Sequence, residues 1–367
     1  MIKVCHMTSA HGRHDVRIFQ KECVSLARNG YEVFLVAPGN SGKEQGVNIA
    51  GFGEKEEKRW KRMLFSAKKA YRLAKKIDAE IYHFHDPELL PYGYLLKKRG
   101  KKVIFDSHEN LFQLMQEKEY IPPMARKCIS DAFTIVLKLI CKKLDAVISV
   151  DPHICRKYKH INKNTVLITN YPVLETGLQS CNKKTTGIAF AGGVDRQWNH
   201  TAVIQAMEKL GPKTVYTICG KADGKYLEQM KHLPCWEQVD FRGEVSHEEA
   251  LQVLCGNSIG VALCCYSKNT NRKKGTLGNT KLFEIMMAGI PVICTRFELW
   301  ERIIQKYHCG ICVDDPQNSE KIAQAAAYLL DHPQEAEKMG GRGYRAVKEK
   351  FNWLHEEKKL LQLYRKL

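Results

Sequence analysis

The sequence has no long hydrophobic run: its longest clean apolar stretch is about eight residues, Ile259 to Tyr266, against the roughly 18 that a membrane-spanning helix needs. No segment is therefore expected to cross a bilayer. The start of the chain also lacks the apolar stretch and small-residue cleavage site of a secretory signal; Met1 to His6 reads instead as the first strand of a domain, and the protein is expected in the cytoplasm. No G-x-G-x-x-G follows that strand, where Thr8-Ser9-Ala10-His11-Gly12-Arg13-His14-Asp15 stands, which argues against hydride transfer from a dinucleotide. Cys309-Gly310-Ile311-Cys312 has no second C-x-x-C or H-x-x-x-H nearby to complete four ligands, so no metal is expected. It opens a strand rather than a helix, which disfavours a redox pair. The 14 cysteines are otherwise scattered along the chain, Cys264 and Cys265 adjacent, and they read as reduced, mostly buried thiols.

What is present suits a globular protein of two domains. At 367 residues the chain exceeds the roughly 250–300 at which single cores stop growing. Hydrophobic residues make up 44% and charged residues 27%, enough to bury a substantial core without low-complexity tracts. The net charge of +18 is uneven. Residues 1–170 carry 31 Lys and Arg against 18 Asp and Glu, a net +13, leaving +5 for the rest. That half is expected to meet something anionic, and charge alone leaves nucleic acid, a membrane surface and phosphorylated substrates all open.

Apolar, β-branched runs alternate with helical patterns at Ile2–Met7, Glu32–Val36, Ile81–Phe84, Val103–Phe105 and Ala146–Val150. The pattern restarts at Gly187–Ala191 and continues through Val215–Cys219, Val239–Phe241, Ile259–Leu263, Pro291–Cys294 and Gly310–Val313. This is the βαβ signature of two parallel sheets, one after the other. The polar, turn-rich stretch from Thr169 to Lys184 reads as the linker, with the boundary near residue 172. Ligands of open parallel sheets bind beyond the carboxyl ends of the strands, so two facing sheets would share a cleft and the residues just after strands become the candidates.

The most informative of these is Gly278-Asn279-Thr280-Lys281-Leu282-Phe283-Glu284-Ile285-Met286-Met287-Ala288-Gly289-Ile290-Pro291-Val292-Ile293. Asn279 or Thr280 can cap a helix whose first amides suit a phosphate, and Gly289-Ile290-Pro291 ends it. Glu284, one turn inside, can accept hydrogen bonds from ribose hydroxyls, or can simply complement the helix dipole as a solvated first-turn acid.

This run resembles the donor-binding segment of retaining glycosyltransferases of GT-B architecture, family 4, a bacterial capsule and exopolysaccharide type. His14-Asp15-Val16-Arg17-Ile18-Phe19, Tyr82-His83-Phe84-His85-Asp86-Pro87-Glu88-Leu89-Leu90-Pro91, Phe105-Asp106-Ser107-His108-Glu109 and the stretch from Gly310 to Leu367 share the likeness, so it covers nearly the whole chain. The resemblance implies an α/β, GT-B architecture of two facing Rossmann-like parallel-sheet domains with a cleft between them. Residues 1–171 would be the acceptor domain, 172–352 the donor domain, and a C-terminal helix at about 353–367 would pack back on the first.

The implied activity is hexosyl transfer from a UDP- or GDP-linked sugar to a glycan or lipid-linked glycan, with retention of configuration, in surface polysaccharide biosynthesis. No cofactor is implied, and charge on the departing diphosphate would be stabilised electrostatically without a required metal. By the same resemblance Glu284 would hold the ribose, and Asn279 with the amides of Thr280, Lys281 and Leu282 would lie near the diphosphate. Gly243 and Val245 would line the base, and Arg196, after Gly192-Gly193, would neutralise phosphate charge. In the first domain His108 would be the catalytic imidazole, with Glu109 and Asp106 orienting an acceptor hydroxyl, His85 as a rival, and Gly12 letting backbone approach the donor phosphates. The sequence departs from the family at Thr276, where many relatives carry a second acid eight positions before the glutamate. It departs again after Arg196, where Trp198, Asn199 and His200 follow instead of a second cation, a charge that Lys281 could supply.

From Lys58 to Ile77, apolar Trp60, Met63, Leu64, Ala67, Tyr71, Ala74 and Ile77 keep helical spacing among nine Lys and Arg. The apolar face can pack on the sheet while the basic face meets water or anionic lipid headgroups at the inner face of the cell membrane. A sugar-nucleotide 2-epimerase of the same architecture, or a non-catalytic sugar-nucleotide-binding protein, is the alternative reading. Nucleic-acid binding is not expected, because no recognition-helix, zinc-finger or aromatic-platform motif accompanies the charge.

Overall fold

The computed structural model describes residues 1–54, 56, 58, 61–114, 122–174, 185–268 and 270–367. They form two compact units, Met1–Asn170 with Trp353–Leu367, and Tyr171–Asn352. Most of the turn-rich stretch read as a linker, residues 175–184, lies outside the described residues.

The first unit is built on strands β1 (Lys3–Met7), β2 (Glu32–Ala37), β3 (Gly42–Glu44), β4 (Val47–Gly51), β5 (Ile81–Phe84), β6 (Lys102–Ser107), β7 (Ala146–Ser149) and β8 (Thr165–Leu167). They lie in the order β3-β4-β2-β1-β5-β6-β7-β8, parallel throughout except for β3 against β4. The chain winds outward from β1 in both directions, which makes β1 and β5 the pair where strand order reverses and where the strand ends part to leave a crevice. The short strands β3, β4 and β8 lie toward the sheet edges and were not expected from the sequence: edge strands need not be apolar on both faces, so their hydrophobic signal is weak.

Side chains alternate across this sheet. Val4, Ile81, Ile104 and Ile148 on one face pack with Ile18, Phe19, Leu26, Leu360 and Leu363. Cys5, Tyr82, Phe84, Phe105 and Val147 on the other pack with Ala67, Ala70, Ala74 and Tyr158. The C-terminal helix Trp353–Lys366 covers the first of these faces. Trp353 Nε1 donates to Ser25 Oγ at 2.9 Å, and the Glu356 carboxylate accepts from the Thr169 amide at 2.9 Å.

The basic segment departs from its expected phase. A π-wound stretch, Arg62–Ser66, leads into the α-helix Ala67–Ile77, which buries Ala67, Ala70 and Ala74. Met63, Leu64 and Phe65 are left exposed, at 46%, 59% and 49%. A π turn uses more residues than an α turn, so positions before Ala67 rotate away from the face that a 3.6-residue period assigns them. Lys68, Lys69, Arg72, Lys75 and Lys76 face solvent, and Trp60 lies outside the described residues.

The second unit carries β9 (Thr185–Ala191), β10 (Val215–Cys219), β11 (Val239–Phe241), β12 (Asn257–Ala262), β13 (Val292–Thr295) and β14 (Gly310–Val313). Their order is β11-β10-β9-β12-β13-β14, every pair parallel, with the reversal between β9 and β12. Ile188, Phe190, Ile218, Val261, Phe283, Met286 and Trp300 form its core. None of the described cysteines is in a disulfide. Among the described residues no helix is long and apolar enough to cross a membrane.

Candidate functional site

In the second unit the carboxyl ends of β9 and β10 and the start of the helix Lys281–Met287 enclose a pocket of about 260 Å³. Two glycines shape its floor. The Gly192 amide donates to the Cys219 carbonyl, and the Gly220 amide donates to the Gly243 carbonyl at 2.6 Å. A Cβ on Gly220, whose φ is +136°, would stand 1.8 Å from the Gly192 carbonyl oxygen. A Cβ on Gly192 would stand 2.7 Å from Cε of Lys281, so the bare glycine lets the lysine stem cross into the pocket.

Lys281 Nζ donates to Glu284 Oε2 at 2.7 Å, and the two side chains are 23% and 13% exposed. Burial pushes the Glu284 carboxyl up, but the Lys281 ammonium outweighs it and holds the group below the usual carboxylate range. An ionised acceptor and a cation thus face one cavity, ready for hydroxyl donors and for an anion. Lys221, Ser246 and His247 also line the pocket. The sequence reading missed these three, and the one available signal was that Lys221 follows a strand end.

Of the residues expected here, Lys281, Glu284 and Val245 line the pocket. Gly243 supports it through its carbonyl and adopts φ +67°, a conformation that favours glycine. Asn279 Oδ1 accepts from the Lys281 amide at 3.1 Å, and the Thr280 carbonyl from the Glu284 amide at 2.9 Å. Leu282 points into the core and is 0% exposed, so its side chain makes no part of the cavity. Gly193 is exposed and stands beside the crossing rather than in it. Arg196 is exposed too; it bonds the Gln229 amide and lies over the Tyr226 ring, away from the pocket lining. Thr276 is used locally: Oγ1 accepts from the Gly278 amide, and its carbonyl accepts from Trp300 Nε1 at 2.8 Å.

The glycine crossing gives a testable contrast. Gly220→Ala is expected to cost about 1–3 kcal/mol through overpacking, and to abolish ligand binding in the pocket. Gly193→Ala, whose Cβ would meet nothing nearer than 3.9 Å, should change neither. Thermal melts with and without added ligand read both outcomes.

In the first unit the carboxyl ends of β1, β5 and β6 bring together His11, Asp86 and His108. Asp86 organises the loop after β1: its Oδ2 accepts from Thr8 Oγ1 at 2.7 Å and from the Ser9 amide at 2.6 Å, while Oδ1 lies 3.0 Å from His11 Nδ1. Burial alone would lower the His11 pKa, but Asp86, with Asp15 and Glu109, raises it above the usual imidazole value. Gly12 lies on the exposed part of this loop with open space around its α-carbon, so no crowding demands a glycine there.

His108 is 20% exposed, its ring 5.4 Å from that of His11. Its Nε2 lies 3.1 Å from both Asp106 Oδ2 and His85 Nδ1. Glu109 beside it is exposed. Asp106, expected as an acceptor-orienting acid, is 0% exposed and is gripped by Arg17, Nε to Oδ2 at 2.8 Å and Nη2 to Oδ1 at 3.1 Å. It orients His108 and has no access to a substrate hydroxyl. His85 is also buried behind His108, and burial lowers its pKa to about 4.

Residues 179–346 match the family model for glycosyl transferases group 1, and residues 20–170 match the model for glycosyltransferase family 4. Among solved structures, sucrose-phosphate synthase from Thermosynechococcus elongatus superposes with a TM-score of 0.74 at 18% identity, over 100% of this chain and 99% of that one. HepE of Anabaena, in complex with UDP-glucose, gives 0.72 at 11% identity with 100% of both chains covered. WaaG, a glycosyltransferase involved in lipopolysaccharide biosynthesis, gives 0.69 at 11% identity with 98% of both covered. A comparison with curated proteins finds no match.

Proposed function

We propose, from the premise that the chain is a glycosyltransferase of the GT-B type, that it moves a hexosyl group from a nucleoside-diphosphate sugar to a glycan or lipid-linked glycan, with retention of configuration, in surface polysaccharide assembly. The observation that carries this reading is the Glu284–Lys281 pair in the pocket beyond β9 and β10. A carboxylate only 13% exposed suits two adjacent ribose hydroxyls, and a cation beside it suits the diphosphate. The bound UDP-glucose of HepE supports a uridine nucleotide over a guanosine one. Asn279 and Thr280 then hold Lys281 and Glu284 in place, the amides of Thr280, Lys281 and Leu282 lie near the diphosphate, and Val245 contacts the base.

In the transfer the acceptor oxygen bonds to the anomeric carbon as the carbon–oxygen bond to the diphosphate breaks. The acceptor proton passes to an oxygen of the leaving diphosphate, whose charge Lys281 and Lys221 stabilise. His108 and Glu109 are assigned to the sugar or acceptor hydroxyls. The exposed Met63, Leu64 and Phe65 beside solvent-facing lysines support peripheral contact with anionic lipid, which would bring the enzyme to a lipid-linked acceptor.

The test is a panel of sugar nucleotides scored by calorimetric binding and by slow donor hydrolysis. Glu284→Ala should weaken binding of the preferred nucleotide about 10- to 100-fold, the loss of charge-assisted hydrogen bonds worth roughly 1.5–3 kcal/mol. If the wild type binds no nucleotide, or the variant binds as tightly as the wild type, the donor-site assignment fails. Appearance of an epimerised sugar nucleotide without acceptor would favour the epimerase instead.

A further inference from the structure

Behind His108, on the face of the first sheet that Val4 and Ile81 otherwise fill with hydrocarbon, lies a cluster of ionisable side chains joined to His108 through His85. His6 and His83 sit directly opposite each other across the parallel pair β1 and β5. His85 follows two residues after His83, and Glu22 comes from the π-wound helix Val16–Cys23. All four side chains are 0% exposed.

Their inward-facing atoms converge. Glu22 Oε2 lies 3.9 Å from His6 Nδ1, 3.8 Å from His83 Nε2 and 3.9 Å from His85 Nε2. His6 Nδ1 and His85 Nε2 are 3.1 Å apart, and one candidate ligand atom from each residue fits within 4.8 Å of all the others. Ligands about 2.0–2.1 Å from a tetrahedral zinc ion stand about 3.3 Å from one another, near the 3.1 Å and 3.8–3.9 Å separations seen here.

Three of these atoms lack what buried polar atoms normally have. Neither oxygen of Glu22 accepts a hydrogen bond, although Oε1 is 3.1 Å from Arg17 Nη2, and His83 Nε2 has no partner. A buried carboxylate oxygen and a buried imidazole nitrogen without hydrogen-bond partners are costly, and such atoms call for an ion or another explanation. The outward-facing ring nitrogens, by contrast, are held. His6 Nε2 and His83 Nδ1 lie 3.2 and 2.9 Å from the Tyr364 hydroxyl, and His85 Nδ1 lies 3.1 Å from His108 Nε2 and 3.5 Å from Asp106 Oδ2. A tautomer in which His6 Nε2–H and His83 Nδ1–H face the Tyr364 oxygen would leave His6 Nδ1 and His83 Nε2 able to take an ion. Outer partners that set the tautomer in this way are typical of metal-ligating histidines.

We propose that His6, His83, His85 and Glu22 form a closed, four-ligand site for one divalent ion of the zinc type. Imidazole nitrogens with one carboxylate suit a borderline first-row ion better than calcium or magnesium. With four protein ligands and no solvent access the site is structural. It ties β1 and β5 to the helix Val16–Cys23, and through Tyr364 to the C-terminal helix, beneath His108. Linear spacing gave no hint of it, because the ligands lie at positions 6, 22, 83 and 85 and meet only across the sheet.

The rival trio His85, Asp106 and His108 is disfavoured because both Asp106 oxygens already accept from Arg17. The test uses the full-length chain without a polyhistidine tag, purified without chelators, with metal counted by plasma mass spectrometry. About one equivalent of zinc or a similar ion per chain is expected, with at least a roughly tenfold loss in His83→Gln and in the isosteric Glu22→Gln, and retention in His108→Ala.

Chelator-treated protein is then titrated with zinc chloride, which should raise its melting temperature in proportion to occupancy. Should His83→Gln fail to fold, Glu22→Gln and the zinc titration carry the comparison. The proposal is overturned by a wild type that holds no metal as purified and gains no stability from zinc, or by a Glu22→Gln protein that binds zinc as the wild type does. It is equally overturned if His108→Ala loses the ion while His83→Gln keeps it, which would move the site to the rival trio.

Discussion

His108→Ala is expected to lower kcat for glycosyl transfer by roughly 10²- to 10³-fold while leaving nucleotide affinity within about twofold, since removal of a positioned imidazole usually costs at least that much turnover. The expectation rests on how the ring is held. It follows β6 at the open end of the sheet, is 20% exposed, and its Nε2 is set between Asp106 and His85. A side chain that only packed would have no need of two buried partners around one nitrogen. Donor binding is assigned to the other unit, so KM for the nucleotide should change little. Single-turnover transfer and calorimetric nucleotide binding, on the same preparation, separate the two quantities. A variant that keeps more than half its turnover would remove His108 from the chemistry.

The largest effect on stability is expected at Arg17, which no sequence pattern marked for a role of its own. Its guanidinium is 4% exposed; it donates twice to Asp106 and lies 3.1 Å from Glu22, so one buried cation faces two buried carboxylates. Arg17→Met leaves the hydrocarbon volume roughly in place but strands the charge of Asp106. Breaking a buried pair in that way costs about 3–5 kcal/mol, and denaturant unfolding should show a loss of that size. Arg17→Lys keeps the charge but cannot reproduce the planar two-toothed contact, and is expected to fall between. An Arg17→Met protein as stable as the wild type would show that Asp106 does not depend on its guanidinium.

How far each feature could be read from sequence depends on the range of the forces that create it. The inner strands were legible because a strand covered on both faces must be apolar at nearly every position, and Val4, Ile81, Phe105, Ile188 and Ile259 say so one residue at a time. Strands β3, β4 and β8 were not, since a strand toward a sheet edge can remain half polar. The phase of the basic helix was misread at Met63 and Leu64, because a π-wound turn obeys no 3.6-residue period. Glu284 and Lys281 stood out because the elements that position them are contiguous. The sequence could not show that Arg196 would turn to Gln229 and Tyr226, nor that Lys221 and His247 would reach the same cavity.

By itself, then, the sequence determined the alternation of strands and helices, the restart of that alternation after residue 184, and the local motif around Glu284. All of these arise from neighbours along the chain and from period-2 and period-3.6 patterning. Only the tertiary structure decided which polar residues share a buried environment. Arg17 meets Asp106 across 89 positions, and His83 meets Tyr364 across 281. Contacts of that separation leave no period and no spacing in the sequence. They exist because parallel strands set side by side by their crossovers place His6 against His83 and carry His108 over the open ends.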